Sequence, residues 1–342
     1  MKTSTAAGTL AGAKHDSGLG RSDRWQPFML IASIAAGLAL AKAAPSLAEL
    51  MGSLVSVGVF MLIYLVMLGV DLGGVAGAFR QRTFLAIAVG INFVVNPLLA
   101  WGLGAVFLDG DPELWAGLIL FLVTPCIGWY LIFTELAGGD STLGVSLLAI
   151  NVVLQLLLLP VYLLLFAGRV LTLDIGTIAG SVTLYLVLPL AAALLTRRIF
   201  RSKGRTADYA FGIGSGHLKT ISLMVVIVSM FASQGEVLFE NPTVVWRLAP
   251  PIIIFFAITF VVALLGARLA GLPYDQAALL VFTTTSRNSE ASLAVAATAF
   301  SSPLVALTVV IGPVLELPLL MVMVRLLLRL RPHYPSPTRE MP

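Results

Sequence analysis

Apolar residues run through this chain in long blocks, not in alternation. About ten blocks can be marked, at 27–45, 51–72, 83–108, 114–137, 142–167, 174–197, 217–236, 247–269, 274–300 and 303–328. Blocks of about 20 residues suit helices crossing a hydrocarbon core of roughly 30 Å. Barrel strands would show alternation over about 10 residues, and that pattern is missing. Two blocks are interrupted. Thr124-Pro125-Cys126-Ile127-Gly128 breaks the fourth, and Thr283-Thr284-Thr285-Ser286-Arg287-Asn288-Ser289-Glu290 breaks the ninth.

The pattern predicts an all-α integral membrane protein of about ten transmembrane helices. Split as five plus five, the halves must be inverted in the membrane, because each unit has an odd number of spans. The fourth helix of each half is then the discontinuous one, which is the plan of many secondary transporters. This repeat rests on topology, since no clear residue identity links the halves. The expected organisation is a disordered cytoplasmic tail over 1–25, a first five-helix repeat over 26–168, a second over 169–330, and a cytoplasmic tail over 331–342.

Composition agrees. Hydrophobic residues make up 58% and charged residues 11%, with a mean hydropathy of +0.99; soluble domains carry roughly 25% charged residues. A soluble core this apolar could not be covered by polar surface. The single Cys excludes an intrachain disulfide. Residues 1–25 lack the apolar stretch of a cleaved signal peptide. The net charge of +4 comes from loop Lys and Arg and implies no nucleic-acid partner. With the N-terminus inside, Arg80, Arg82, Arg197, Arg198, Arg201, Lys203, Arg205, Arg325, Arg329 and Arg331 all fall inside, while Lys42, Arg169 and Arg247 fall outside. That bias predicts a multi-pass inner-membrane protein with both termini cytoplasmic.

Few residues remain for chemistry. Pro125 frees an upstream carbonyl, and loose backbone at membrane depth is tolerated only inside protein or beside a cavity. Cys126 is therefore expected at a cavity wall, either as a small buried hydrophobe or as a thiol for Cu(I), zinc or a thiophilic metalloid. Glu316, in Gly312-Pro313-Val314-Leu315-Glu316-Leu317-Pro318, is a carboxylate inside an apolar span. It must be paired, protonated or reached by water, and an ion pair with Arg287 is one reading. Arg287 and Glu290 lie three apart, so a local pair or a gate are both open. Asn151 and Gln155 lie four apart on one face, as do Asn92 and Asn96; each pair can bond between helices or touch a substrate. Asp140 reads as a loop or helix-start residue. No Walker loop, zinc spacing or Ser/His/Asp pattern appears, so neither an enzyme nor a cofactor is expected.

With these residues in view, the chain resembles the bile acid:sodium symporter superfamily, and within it the arsenite-efflux permeases. The resemblance spans nearly all of 50–330. It rests on Thr124-Pro125-Cys126-Ile127-Gly128, on Glu135-Leu136-Ala137-Gly138-Gly139-Asp140, on Asn151 with Gln155, on Ser286-Arg287-Asn288-Ser289-Glu290-Ala291 and on the segment around Glu316. The Gly-Leu-Pro-Tyr-Asp run at 271–275 is similar to the wider superfamily. In the arsenite permeases a Cys in the fourth span and a Glu in the tenth form the functional pair, matching Cys126 and Glu316. The resemblance implies export of trivalent arsenite or antimonite in exchange for protons, with crossed broken helices in a core domain moving against a panel domain.

On this basis Cys126, Glu316, Asn151 and Asn288 are expected to bind substrate, with the metalloid at Cys126. Glu290, Arg287, Gln155 and Ser286 are expected to serve coupling or gating. The ninth-span motif departs from the family's usual Ser-Asn-Asn-Phe-Glu, with Arg287 and Ser289 replacing an Asn and the Phe. Pro125 stands where some members carry Arg, and Trp129 and Tyr130 add bulk just after the break. Arg287 is expected to act as a fixed cation that disfavours sodium coupling, or to neutralise an organic anion. Two other functions are weighed: a sodium- or proton-coupled carrier of a bile-acid-like or keto acid, and a non-transporting sensor or scaffold.

Overall fold

The computed structural model describes residues 21–68, 80–126, 129–166, 168, 176, 180, 183–202, 207–240 and 242–334, and some side chains inside helices, Glu290 among them, lie outside the described residues. Every regular element among the described residues is helical. That outcome follows from the apolar blocks: in hydrocarbon, backbone polar groups must be satisfied within the protein, and a helix satisfies them within its own segment.

The chain opens with α1 (Arg21–Ala43), which starts inside the segment expected to be tail. One residue, Ala44, separates it from α2 (Pro45–Leu68), and Pro45 suits a first helical position because its missing N–H has no partner there anyway. α3 runs over Arg82–Phe107 and carries a π turn at Ile91–Val95. The fourth block divides into α4 (Pro112–Leu122) and α5 (Trp129–Leu136). α6 (Ser141–Leu165) follows, with Asp140 Oδ1 capping it through the Leu143 N–H at 2.9 Å. The junction expected at 169–174 lies outside the described residues.

The second half contains a π turn at Thr183–Val187 leading into α7 (Leu188–Ser202). α8 (Ala207–Glu240) has 34 residues, longer at both ends than its apolar block; at about 1.5 Å per residue it reaches roughly 50 Å. Next come α9 (Pro242–Leu269), α10 (Tyr274–Thr285), α11 (Ser289–Ala299) and α12 (Pro303–Leu330). A short 3₁₀ turn at Arg331–His333 continues α12 into the segment expected to be C-terminal tail, and Tyr334 packs edge-on against Tyr274.

Among the described residues, four stretches are long and apolar enough to cross a membrane: α3, α6, α9 and Pro303–His333. Their outer faces carry exposed apolar residues such as Val106, Leu157, Trp246 and Leu269, as lipid-facing surfaces do.

Packing sorts the helices into two groups. α8 lies along α1 and α2, and α7 along α2. In the other group α12 is central, touching α4, α9 and α11, while α3 packs on α4 and α10 on α9. The α4–α12 contact is close because Gly117 faces α12: a Cβ there would sit 2.6 Å from the Thr308 Cβ and 2.9 Å from the Val305 carbonyl oxygen. Small residues let membrane helices approach in this way. Gly117→Val is expected to cost about 1–3 kcal/mol through overpacking, read as a lower unfolding temperature of the detergent-purified protein.

Candidate functional site

The two interruptions meet. Pro125 and Arg287 form an isolated antiparallel bridge. The Cys126 N–H donates to the Ser286 carbonyl at 3.0 Å, and the Asn288 N–H donates to the Thr124 carbonyl at 2.9 Å. Each segment leaves its helix to bond with the other.

Hydrogen-bond accounting explains the polar residues clustered here. In an unbroken helix each N–H would bond the carbonyl four residues back. Cys126 and Asn288 have been diverted, which strands the carbonyls of Leu122 and Thr284. The Arg287 N–H goes to Glu316 Oε1 at 2.8 Å, which strands Thr283. Buried carbonyls need partners, and side chains supply them. Asn92 Nδ2 donates to the Thr283 carbonyl at 3.0 Å, and Asn96 Nδ2 to the Thr284 carbonyl at 2.9 Å. The π turn at Ile91–Val95 lies at the first of these two residues, and such bulges often mark functional sites. Thr124 Oγ1 and Ser292 Oγ lie 2.6 Å apart and both reach the Leu120 carbonyl.

Arg287 is the largest contributor. Its side chain is buried, with about 1% exposure. Nη1 donates to the Leu122 carbonyl at 2.8 Å and Nε to the Thr285 carbonyl at 3.0 Å. Nη2 reaches the Thr284 carbonyl and, at 3.4 Å, Asn92 Oδ1. The guanidinium also stacks over the Phe255 ring, 5.3 Å from its centroid. The sequence left open whether Arg287 pairs with Glu290 or Glu316. Here its backbone meets Glu316 while its side chain turns to the C-terminal ends of α4 and α10. Those ends carry partial negative charge, so one cation serves both.

The Ser286–Arg287 peptide unit is shared. Its carbonyl accepts from Cys126 and its N–H donates to Glu316. The two residues singled out from sequence are thus joined through a single peptide group. Cys126 is buried, and its sulfur accepts from the Trp129 N–H at 3.2 Å, the first residue of α5. Asn288 caps α11, with Oδ1 accepting from the Ala291 N–H at 3.1 Å.

A cavity of about 40 Å³ opens beside this junction. It is lined by Glu316, Arg287, Ser289 and Trp129, and from α8 by Ile227 and Met230. It therefore lies between the two helix groups, at the N-terminal ends of α5 and α11. Those ends favour electron-rich ligand atoms. A water needs roughly 10–15 Å³ on such a measure, so the space suits a few waters or a small polyhydroxy species.

Not every expected residue lines it: Cys126, expected at a cavity wall, and Asn288 stand behind the lining residues Trp129, Arg287 and Ser289. Asn151 is buried and donates to Thr283 Oγ1 at 3.2 Å, bracing α10 one residue-turn from the cavity. Gln155 lies a turn further along α6 and is buried, with neither side-chain polar atom hydrogen-bonded. The Ser286 hydroxyl is also buried without a hydrogen-bond partner. The Glu290 side chain lies outside the described residues. Ser289 and Met230 line the cavity and were not singled out from sequence. Met230 carried no signal, because one Met in an apolar helix looks like any other. Among the described residues no cluster of His, Cys, Asp or Glu could hold a metal ion.

The sequence matches the model of the Sodium Bile acid symporter family over residues 56–241. It is 28% identical over 332 residues to the arsenical-resistance protein Acr3 of Corynebacterium glutamicum, covering 91% of this chain and 90% of that protein. It is 24% identical over 345 residues to the arsenical-resistance protein Acr3 of Alkaliphilus metalliredigens, covering 94% and 97%. It is also 25% identical over 225 residues to YocS of Bacillus subtilis, described as an uncharacterized sodium-dependent transporter, covering 66% and 67%.

Proposed function

The chain belongs to the sodium bile acid symporter family and is a multi-pass membrane transporter, not an enzyme, and we propose that it exports trivalent arsenite, or the related antimonite, in exchange for protons. The observation that carries this reading is the single peptide group linking Cys126 to Glu316. Arsenite is a neutral trihydroxide of a thiophilic element. A thiol can displace one hydroxyl, forming an S–As bond while the thiol proton leaves with the hydroxide as water. A single such bond is reversible by hydrolysis, as export requires.

Glu316 supplies the proton step. As a carboxylate it polarises the Ser286–Arg287 peptide and so strengthens the hydrogen bond from the Cys126 N–H. As a carboxylic acid it relaxes that hold. Occupancy of the thiol and protonation of the carboxylate are thereby linked. The small cavity supports a small inorganic cargo over a bile-acid-like one, since pockets for drug-sized ligands run to roughly 300–1,000 Å³.

The same reading assigns two inverted five-helix repeats, with both termini cytoplasmic. The bridged helices move as one body against α1, α2, α7 and α8. Asn151, Asn288, Gln155, Ser286 and Glu290 are assigned to substrate contact or gating around the crossing. Everted membrane vesicles test the function. Vesicles holding this protein are expected to accumulate arsenite under an imposed proton gradient and to lose that accumulation with an uncoupler. Accumulation that instead follows a sodium gradient, or an organic anion taken up in place of arsenite, would overturn it.

A further inference from the structure

α5 has eight residues, Trp129–Leu136, and a helix that short needs outside contacts to hold its place. Its first N–H, that of Trp129, bonds the Cys126 sulfur, so whatever fixes α5 also fixes the thiol. At about 1.5 Å per residue its other end lies roughly 12 Å away. That end meets the start of α10. The Tyr274 hydroxyl donates to the Ala137 carbonyl at 2.7 Å, and the Asp140 N–H to the Asp275 carbonyl at 3.1 Å. Gly139 keeps the two segments close: a Cβ there would sit 3.0 Å from both the Asp275 carbonyl oxygen and the Ala278 Cβ.

The end of α12 covers this contact. A 3₁₀ turn brings residues i and i+3 to one side, and the turn at Arg331–His333 closes with the Tyr334 N–H on the Arg331 carbonyl at 3.2 Å. Arg331 and Tyr334 accordingly both land on Tyr274. The Arg331 guanidinium stacks 5.4 Å from the Tyr274 ring centroid, and the Tyr334 ring stands edge-on at 5.5 Å. Arg331 Nη1 also lies 3.4 Å from the point where Gly138, at φ +71°, would carry a Cβ. A cation there faces the C-terminal end of α5, where partial negative charge gathers. The Tyr334 hydroxyl is buried without a hydrogen-bond partner, so the ring, not the oxygen, makes the contact.

We infer that Arg331 and Tyr334 form a strap that positions Cys126 through α5, from the end of the helix that carries Glu316. α5, α10 and α12 are then tied twice: at the crossing, through the peptide shared by Cys126 and Glu316, and at Tyr274. A short helix held at both ends cannot pivot, and the Trp129 N–H stays on the sulfur. Arg331 and Tyr334 lie too far from the thiol to touch a cargo there, so they are positioning residues. Their role in transport rests on the thiol reading proposed above; their hold on the thiol does not.

The test labels the full-length protein in detergent, without arsenite, with N-ethylmaleimide, which finds a single thiol in the chain. Labelling of a buried thiol follows local opening, so the Arg331→Ala/Tyr334→Ala double variant is expected to react roughly threefold faster than wild type or more. Tyr334→Phe keeps the ring and is expected to react at the wild-type rate. So is Arg329→Ala, which removes an exposed cation two residues earlier. Arg331→Ala alone is expected to accelerate labelling in the same direction, and it decides by the same criterion if the double variant is recovered unfolded. A wild-type labelling rate in the folded variant overturns the inference, as does equal acceleration in Arg329→Ala or Tyr334→Phe. Arsenite accumulation in everted vesicles separates the two readings. There the double variant is expected to raise KM about threefold while the maximal rate stays within roughly twofold of wild type. Faster labelling, with no arsenite accumulated even by wild type, would sink the cargo reading and leave the strap standing.

Discussion

Glu316→Gln is expected to reduce arsenite accumulation in everted vesicles to that of vesicles lacking the protein, while the protein itself remains folded. The separation comes from the geometry. Glu316 Oε1 accepts from the Arg287 N–H at 2.8 Å, and an amide oxygen accepts the same bond. Gln also fills the same volume between Pro313 and Pro318, so the unfolding temperature should change little. What Gln cannot do is gain and lose a proton. A carboxylate inside an apolar span is costly to keep and is a functional residue by default. The measurement is arsenite accumulation beside the melting curve of the same preparation. Wild-type accumulation by Glu316→Gln would remove the carboxylate from the transport cycle and leave it as a hydrogen-bond acceptor.

Cys126→Ala and Cys126→Ser should lose arsenite transport to the same extent, by at least about tenfold, the equivalent of 1.4 kcal/mol or more in binding. Neither change touches the bridge, because the backbone N–H that reaches Ser286 is untouched. Serine preserves the size and hydrogen bonding of the side chain. A cysteine acting through packing would therefore be rescued by Ser, whereas one acting through sulfur would not. A direct readout is also available. Cys126 is the single thiol in the chain, so arsenite should slow its labelling by a small membrane-permeant maleimide. Unchanged labelling at saturating arsenite, or full transport by the Ser variant, would show that the thiol does not hold the cargo.

Much of this site could be read from the sequence because it breaks strong local rules. Pro125 inside an apolar block and Arg287 inside another are signals visible without any structure, and Glu316 is as conspicuous. The helices do break at these places. What the sequence could not show was where the Arg287 side chain goes. Its partners are main-chain carbonyls, which every residue possesses and which therefore leave no mark on composition or spacing. The roles of Asn92 and Asn96 were hidden for the same reason: their acceptors are the carbonyls of Thr283 and Thr284. The cavity wall contributed by α8 was equally illegible, since Ile227 and Met230 sit in an apolar run. The start of α8 was placed too late because Asp208, Gly212, Gly214 and Gly216 weaken its apolar pattern while the helix continues through them.

The bridge between Pro125 and Arg287 has a consequence for descent. Two positions that face each other across a hydrogen-bonded crossing share one environment, and a single charge serves the ends of two helices. A lineage that loses the arginine at 287 must gain a cation from the opposite strand, and 125 is the position that faces it. Positions 125 and 287, although 162 residues apart in the chain, should therefore drift as a pair. A substitution tolerated in one lineage should be lethal when transplanted alone into another.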